Sequence, residues 1–359
     1  MTEPFYFSTT EAQEFRRCRR RWNFASLNRM GVEPKRRAVA LDFGIGMHFA
    51  LAKFYGEGLS PAAVWMDWTE QFIQGQRAEL GQVWQEEEEK WVERQALGKG
   101  MLTHYESWAK ENDDFEIVQV EQEFEVLLET PEGVEFLAYL IGRFDGVVRD
   151  RLGRLLLLEH KSSAYALDPA ILVLDDQTLK YQMAAEKKFG IRLEGVYFNV
   201  LRKAVPREPE LVYVGTKNER LTVRKDIDTT HQVYMNTIKK HDFDPTDYKE
   251  VLEGLAIKGN TFFYRETIRR NTHELELEKR RTFLNAQEMA DPNLNIYPNP
   301  TWDCVWDCDF RDLCLAMNEG GDVEFLLREN YQLRKHEGVY LQSRSDPERF
   351  LDAEPWRVQ

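Results

Sequence analysis

The sequence predicts an α/β protein in which a core of strands carries helical additions on either side. Three observations support this class. Apolar residues recur at helical spacing through about residue 112, alternate with polar residues as in strands from about residue 115, and return to a helical period near 175–189. The order of helices, three strands, a helix and further strands indicates an α/β core rather than an array of repeats.

The N-terminal region, residues 1–114, is predicted to be helical. Residues 1–30 are expected to form one helix, capped by Ser8, Thr9 or Thr10, with Cys18 on its buried face. A second helix is expected at 42–56, and residues 61–112 are expected to be mostly helical.

Residues 115–215 are predicted to form the core, and residues 216–359 a helical region with a cysteine cluster. Core strands are expected at 116–128, 134–148 and 155–160, with a turn around Leu152, followed by a helix at about 175–189 and strands at 195–201 and 211–214. Beyond the core we expect a charged amphipathic helix at 260–290 and a short helix near 322–335.

The composition excludes disorder as the main state and argues against a membrane span. Of 359 residues, 42% are hydrophobic and 31% charged, and no stretch approaches the roughly 18 uncharged apolar residues that a spanning helix needs. The N-terminus lacks the basic and apolar regions of a secretory signal, so a cytoplasmic protein is expected. The net charge of −14 argues weakly against nucleic-acid binding, although arginines cluster locally at 16–21 and 265–270.

Two carboxylates and a lysine are predicted to meet on the second and third core strands. If a turn centred on Leu152 joins two antiparallel strands, Asp145 lies opposite Glu159, and Lys161 points to the same face as Glu159. Two carboxylates and water suit a hard cation such as Mg²⁺ or Mn²⁺, and a nearby ammonium group suits phosphodiester hydrolysis. An ordinary cross-strand ion pair is the alternative interpretation.

Two further features could complete such a site. Gln177 and Tyr181 share a helix face, where an amide and a phenol can hold a DNA backbone or a water molecule. The imidazole of His48 could add a metal ligand. The alternatives are that Gln177 and Tyr181 are ordinary polar residues on the protein surface, and that His48 is a core histidine whose hydrogen bonds are satisfied.

All four cysteines of the chain could form one Cys₄ site. Cys304, Cys308 and Cys314 are close in sequence, while Cys18 is remote. The C-x3-C-x5-C spacing lacks the C-x2-C knuckle of common zinc sites, so an iron–sulfur cluster is favoured, with zinc or free thiols as alternatives. Trp302, Trp306 and Phe310 could exclude water from it.

The order of these features resembles the PD-(D/E)XK nuclease superfamily, in particular its RecB-like branch of CRISPR-associated iron–sulfur exonucleases and phage recombination exonucleases. The resemblance covers the Cys18 helix, the His48 helix, Asp145, Glu159-His160-Lys161, Gln177 with Tyr181, and the C-terminal cysteines. It implies a restriction-endonuclease-like core, in which a central mixed β-sheet is flanked by helices.

The resemblance also assigns roles to residues. It implies that His48, Asp145, Glu159 and the backbone carbonyl of His160 hold Mg²⁺ or Mn²⁺, and that Lys161 is the catalytic lysine. Gln177 and Tyr181 would belong to the motif that follows, and the cysteines would bind a 4Fe-4S cluster.

DNA, single-stranded or at duplex ends, is the expected partner. Arginines could line a channel for one strand, with Phe262, Phe263 and Tyr264 stacking on bases. The arginines expected to line this channel are Arg19, Arg20, Arg265, Arg269 and Arg270.

The sequence therefore predicts a metal-dependent DNA exonuclease that acts on single-stranded DNA in recombination, repair or replication, in a bacterium or a phage-infected host. A separate helicase, recombinase or CRISPR adaptation protein is a candidate partner. The alternatives are a catalytically silent nuclease-fold module that binds DNA or a partner, and a metal- or iron–sulfur-bearing interaction protein.

Overall fold

The computed structural model describes residues 4–35, 39–80, 85–214, 218–224 and 226–334. Within these ranges the N-terminal half is rich in helices and the central part in strands. The helices are α1 (Thr9–Arg17), α2 (Arg19–Ala25), α3 (Val39–Glu57), α4 (Pro61–Leu80), α5 (Gln85–Asn112), α6 (Pro169–Val173), α7 (Asp176–Phe189), α8 (His231–Lys240), α9 (Lys249–Lys258), α10 (Thr272–Met289), α11 (Cys304–Asp307), α12 (Arg311–Glu319) and α13 (Val323–Asn330), with a 3-10 turn at Pro245–Tyr248.

The strands build one large sheet and two small ones. They are β1 (Phe5–Ser8), β2 (Val32–Pro34), β3 (Phe115–Leu127), β4 (Ala138–Asp150), β5 (Leu155–Ser163), β6 (Gly195–Arg202), β7 (Leu211–Val214), β8 (Asn218–Leu221), β9 (Phe263–Arg269) and β10 (Tyr331–Leu333). The large sheet has the order β1-β4-β5-β6-β9, with β3 also paired to β4, while β2 pairs with β10 and β7 with β8.

The large sheet is mixed, as the resemblance implied. β1 runs parallel to β4 and β5 parallel to β6, whereas β4–β5 and β6–β9 are antiparallel. The apolar run Leu156–Leu158 is buried on β5, and Val196, Phe198 and Val200 are buried on β6. A central strand that is covered on both faces needs such a continuous apolar run.

The chain divides into two compact units, each assembled from non-contiguous segments. Unit 1 comprises residues 1–41, 124–142 and 272–359, and unit 2 comprises residues 42–123 and 143–271. The unit boundaries fall inside β3 and β4. The functional division into 1–114, 115–215 and 216–359 stays a prediction, because compactness does not assign a function to a segment.

Two predicted helices are wrong in part. Residues 1–30 form a strand and two helices, because Cys18 adopts an extended backbone (φ −160°, ψ 114°) between α1 and α2. Ser8 is the N-cap, as predicted, and accepts a hydrogen bond from the backbone of Glu11 at 3.1 Å. In the segment 260–290, residues 263–269 form strand β9, and helix begins only at Thr272.

The other predicted elements agree with the structure to within a few residues. The short helix expected near 322–335 is α13, and position 335 lies outside the described residues. No helix within the described ranges is long and apolar enough to cross a membrane.

Candidate active site

The β4–β5 hairpin has the predicted register. Gly146 pairs with Leu158 and Val147 with Leu157, so continuing the ladder by one step sets Asp145 opposite Glu159. The turn is fixed by Asp150, whose Oδ1 accepts hydrogen bonds from the backbones of Leu152 and Arg154, both at 2.9 Å. Gly153 takes a left-handed conformation (φ +78°), which a residue with a Cβ rarely adopts.

Asp145 is buried and both of its carboxylate oxygens are bonded. Oδ2 accepts the backbone N–H of His160 at 2.7 Å, and Oδ1 lies 2.9 Å from Nδ1 of His48 on α3. Burial alone would raise the pKa of Asp145, but the His48 imidazole and the His160 N–H outweigh it and hold that pKa below its usual range. The structure therefore brings His48 and Asp145 into direct contact, and their role as metal ligands stays a prediction.

Glu159 and Lys161 meet on the same face of β5, as their spacing requires. Nζ of Lys161 lies 2.9 Å from Oε1 of Glu159 and 3.0 Å from Oδ2 of Asp175. Burial tends to lower the pKa of Lys161, but the two carboxylates overcome this and raise it above its usual range. Burial also raises the pKa of Glu159 to about 7, against the opposing effect of Lys161.

Asp175 contacts Lys161, although the sequence did not predict it as a residue of this site. It is the N-cap of α7, where its Oδ1 accepts the backbone N–H of Thr178 at 3.1 Å while Oδ2 binds Lys161. An aspartate directly before a helical pattern predicts an N-cap. It does not predict that the same side chain also contacts a lysine on a strand. The contact to β5 follows only from the packing of α7 on that strand.

Glu121 is the second missed residue. It lies on β3 with an unusual left-handed backbone (φ +48°), and its carboxylate is 3.0 Å from Nε of Arg143. Burial raises the pKa of Glu121, Arg143 opposes this shift, and the charge of Asp145 adds to it, so Glu121 and Asp145 interact electrostatically. The alternation of apolar and polar residues along β3 does not predict that Glu121 interacts with this site.

His160 is hydrogen-bonded to a network of buried polar side chains. The side-chain amide of Asn199 on β6 donates to Nδ1 of His160 at 2.7 Å, and burial lowers the pKa of His160 to about 3. Arg265 on β9 donates to Asn199, to the hydroxyl of Tyr55 at 2.9 Å and to Asp113. The neutral His160 ring is thereby fixed, together with the backbone that binds Asp145.

Gln177 and Tyr181 interact on α7, whose N-cap holds Lys161. The Gln177 amide donates to the Tyr181 hydroxyl at 2.9 Å, so the predicted shared face exists. Tyr181 is buried and Gln177 is half-buried.

The arginines predicted to bind DNA have diverse surroundings. Arg265 is committed to the buried network, and Arg270 donates to the backbone carbonyls of Val173 and Leu172 at 2.6 and 3.2 Å, so the placement of these two does not support a DNA-lining role. Arg269 is exposed.

The aromatic residues and the two unit 1 arginines of that prediction also have structural contacts. Phe262 and Phe263 are core residues, so neither is an open stacking ring, whereas Tyr264 is half-buried and its hydroxyl accepts the backbone N–H of Leu167 at 2.7 Å. In unit 1, Arg19 pairs with Glu288, and Arg20 donates to Asn318 at 2.8 Å.

The four cysteines all belong to unit 1, and each is half-buried. Cys18 accepts the backbone N–H of Asn299 at 3.3 Å, and Cys304 accepts that of Thr301 at 3.4 Å. Burial raises the pKa of the Cys308 thiol, and the neighbouring thiols of Cys304 and Cys18 add to this effect. Cys18, although remote in sequence, therefore interacts electrostatically with Cys308.

The expected aromatic shield around these thiols is only partly present. Phe310 is buried, but Trp302 and Trp306 are 80% and 62% exposed and pack against each other with ring centroids 4.4 Å apart. Two exposed indole rings do not exclude water from the thiols.

Neither set of side chains is arranged as a finished metal site. Across the described ranges, no group of three or more His, Cys, Asp or Glu side chains has a geometry that could hold a metal ion. In unit 2 the reason is visible, because Lys161 binds one oxygen of Glu159 and His48 is bonded directly to Asp145. The second oxygen of Glu159, Oε2, is buried and without a hydrogen-bond partner.

Comparison with known proteins supplies a family. The family model described as the PD-(D/E)XK nuclease superfamily matches residues 6–315, which include every candidate residue discussed above. No match to a curated protein was found. Because the matched stretch covers most of its length, the chain belongs to the PD-(D/E)XK nuclease superfamily.

Proposed function

We propose that the protein is a metal-dependent deoxyribonuclease that removes nucleotides from DNA ends and acts on single strands. One observation carries this proposal: Asp145, Glu159 and Lys161 come together in a buried corner of the sheet, in a chain that belongs to a nuclease superfamily. The alternative, an ordinary ion pair on the surface, would be exposed to solvent and would join one lysine to one carboxylate. Lys161 instead contacts two carboxylates in a largely buried position.

The residues of this corner fit a divalent cation such as Mg²⁺ or Mn²⁺, which nucleases of this superfamily generally use. Oε2 of Glu159 is a buried acceptor that lacks a donor, and such an atom is costly unless something positive binds it. Asp145, Glu159, His48 and the carbonyl of His160 would hold the cation, whose chemistry is to activate water and to neutralise phosphate charge.

Lys161 has a separate role in this proposal. With two of its N–H groups held by Glu159 and Asp175, the ammonium group donates the third to the attacking water, and its positive charge offsets the negative charge that develops on the phosphate. Gln177 and Tyr181 on the adjoining helix orient the substrate backbone. Arg269 is a candidate phosphate contact in unit 2, and Arg19 and Arg20 are candidates in unit 1.

A cleavage assay tests this function. End-labelled single-stranded and duplex oligonucleotides are incubated with the protein in Mg²⁺, in Mn²⁺ and in EDTA. The proposal predicts progressive shortening of the single strand in either cation and none in EDTA. Binding without cleavage in both cations would favour the alternative, a catalytically silent module that grips DNA or a partner.

We further propose that Cys18, Cys304, Cys308 and Cys314 bind an iron–sulfur cluster of the 4Fe-4S type. The support is that the four cysteines belong to one unit, that Cys18 and Cys304 both interact electrostatically with Cys308, and that backbone N–H groups donate to two of the sulfurs. Anaerobically purified protein should be brown and contain iron. Colourless protein with one zinc per chain would instead identify the zinc alternative.

The biological setting is proposed from the same resemblance. A single-strand exonuclease with this cluster suits recombination, repair or replication, in a phage or a bacterium, beside a separate helicase, recombinase or CRISPR adaptation protein. A pull-down from cells that carry the gene, followed by identification of the captured proteins, distinguishes these settings.

A further inference from the structure

The connection that joins β5 to α7, residues 162–174 with the last two residues of β5 included, carries little charge. Asp168 is its only charged residue among thirteen, whereas 31% of the whole chain is charged. Long polar side chains are the usual way to keep a surface connection in water. This connection is instead built from alanine, serine, tyrosine and aliphatic residues.

Several of its large apolar side chains point into solvent. Tyr165 and Leu174 are 81% and 82% exposed, and Ile171 and Val173 are also exposed, whereas Leu172 is buried. A cluster of exposed apolar side chains on one short segment marks a contact surface more often than isolated exposed residues do.

The exposure does not arise from a poorly anchored loop. The hydroxyl of Tyr264 accepts the backbone N–H of Leu167 at 2.7 Å and donates to its carbonyl at 3.2 Å. Buried Arg270 donates to the carbonyls of Leu172, Val173 and Asp175. Asp168 also caps α6, by accepting the N–H of Ala170 at 2.8 Å. The backbone is therefore fixed while its apolar side chains remain uncovered.

Both ends of the connection lie at the proposed catalytic residues. It begins directly after Lys161 and ends directly before Asp175, and these two side chains are 3.0 Å apart. A phosphate bound at Glu159 and Lys161 thus lies where the connection leaves the sheet and returns to α7. The nucleotides next to that phosphate are therefore within reach of the connection.

We propose that this apolar connection binds the bases of the substrate strand beside the phosphate that is cleaved. Tyr165 stacks on one base, and Ile171 and Leu174 pack against the faces of its neighbours, while the phosphates face Lys161. The near absence of charge favours bases over the phosphate backbone as the group that is contacted, since every base offers an apolar face. This inference rests on the proposed nuclease function and adds to it the recognition of unpaired bases.

The test compares binding to two oligonucleotides of equal length, a thymidine homopolymer and a fully abasic strand, both with a fluorescent end label. Affinities are measured by anisotropy in Ca²⁺, without Mg²⁺ or Mn²⁺, for Tyr165→Ser, Leu174→Ser and Leu152→Ser. Leu152 is the matched control because it is equally apolar and is 75% exposed, but lies far from Lys161. It belongs to the hairpin turn before Leu155, and from Leu155 the strand β5 runs about 20 Å to Lys161.

The wild-type protein should bind the thymidine strand more tightly than the abasic strand. Tyr165→Ser and Leu174→Ser should each weaken binding of the thymidine strand about tenfold and leave binding of the abasic strand unchanged. Leu152→Ser should change neither affinity. Because all three side chains are exposed, thermal melting temperatures should match the wild type.

Three results would overturn the inference: equal affinity of the wild type for both strands, equal weakening on both strands by the substitutions, or no weakening at all. If the substitutions instead convert a dimer to a monomer in sedimentation and leave binding intact, the surface is an interface between copies of the chain. Failure of the nuclease proposal is a separate result, since it appears as absence of cleavage by the wild type in Mg²⁺.

Discussion

Lys161 is held between two carboxylates of different origin, Glu159 on its own strand and Asp175 at the start of α7. The sequence spacing predicted the first partner and not the second. A strand places residues i and i+2 on one face by geometry alone, whereas the Asp175 contact requires the three-dimensional packing of α7 on β5. Glu121 was missed for the same reason.

Asp175→Asn separates the two roles of Asp175. Asparagine caps a helix as well as aspartate, so any fall in the free energy of unfolding comes from the loss of one of the two carboxylates that hold Lys161 and not from the cap. We expect the single-turnover cleavage rate in Mg²⁺ to fall about tenfold or more, because the ammonium group is no longer fixed. Asp244→Asn is the control, since Asp244 caps the 3-10 turn and accepts the N–H of Thr246 at 2.9 Å. An equal fall in both variants would remove Asp175 from the site.

The pair of His48 and Asp145 should make the stability of the cation-free protein depend on pH. Burial disfavours the imidazolium, but Asp145 outweighs it and raises the pKa of His48 to about 9, above its ordinary value of 6.5. A raised folded-state pKa means that the stabilisation is fully present below about pH 6.5 and is lost as the pH rises through about 9. Urea unfolding in EDTA should therefore show a free energy of unfolding that falls over this window.

His48→Asn provides the comparison for that pH dependence. The variant lacks the titrating ring, so its free energy of unfolding should fall less between pH 6.5 and 9. Identical slopes for the two proteins would mean that the His48–Asp145 contact does not stabilise the fold.

At the scale of elements, Gly146 controls how closely β3 approaches β4 beside Asp145. A Cβ added at Gly146 would lie 2.6 Å from the backbone carbonyl oxygen of Gln119, and a strand backbone has little freedom to move away. Gly146→Ala should lower the free energy of unfolding by about 1–3 kcal/mol. Gly254→Ala on α9, where nothing lies within 4 Å, should raise it by about 0.5–1 kcal/mol. Denaturant melts that show no loss in Gly146→Ala would contradict this close approach.

The elements that sequence reasoning predicted well are those with a strong local pattern. The β4–β5 hairpin combines an apolar run with a turn signal, and its register followed from these alone. Strand β9 was missed because its alternation places Arg265 at a position that looks exposed in sequence. The two terminal nitrogens of its guanidinium in fact donate to Asn199 on β6, to Tyr55 on α3 and to Asp113, which follows α5. No local pattern reveals such partners.

The break at Cys18 was also invisible in the sequence. The apolar spacing of 15–25 continues across it, yet the residue is extended and its sulfur accepts a backbone N–H from Asn299. This contact joins residues 281 positions apart in the chain, and no local pattern predicts it.

At the scale of the whole molecule, the cysteines should join the two ends of the chain within unit 1. Cys18→Ala should reduce iron to background and lower the melting temperature. Arg17→Met is the matched control, because Arg17 joins the same segments through Asp303 and Asp307 at 2.8 and 2.6 Å without supplying a sulfur. We expect this control to keep its iron, as measured by elemental analysis. Full iron content in Cys18→Ala would exclude Cys18 as a ligand.

Lys161→Ala tests the central claim, that the corner formed by Asp145, Glu159 and Lys161 hydrolyses DNA with a divalent cation. The decisive measurement is the single-turnover rate of cleavage of an end-labelled single strand in Mg²⁺, with the affinity for the same strand measured in Ca²⁺. We predict that the substitution lowers the rate at least about 100-fold and leaves the affinity and the melting temperature close to those of the wild type. Cleavage by Lys161→Ala at the wild-type rate would contradict the account.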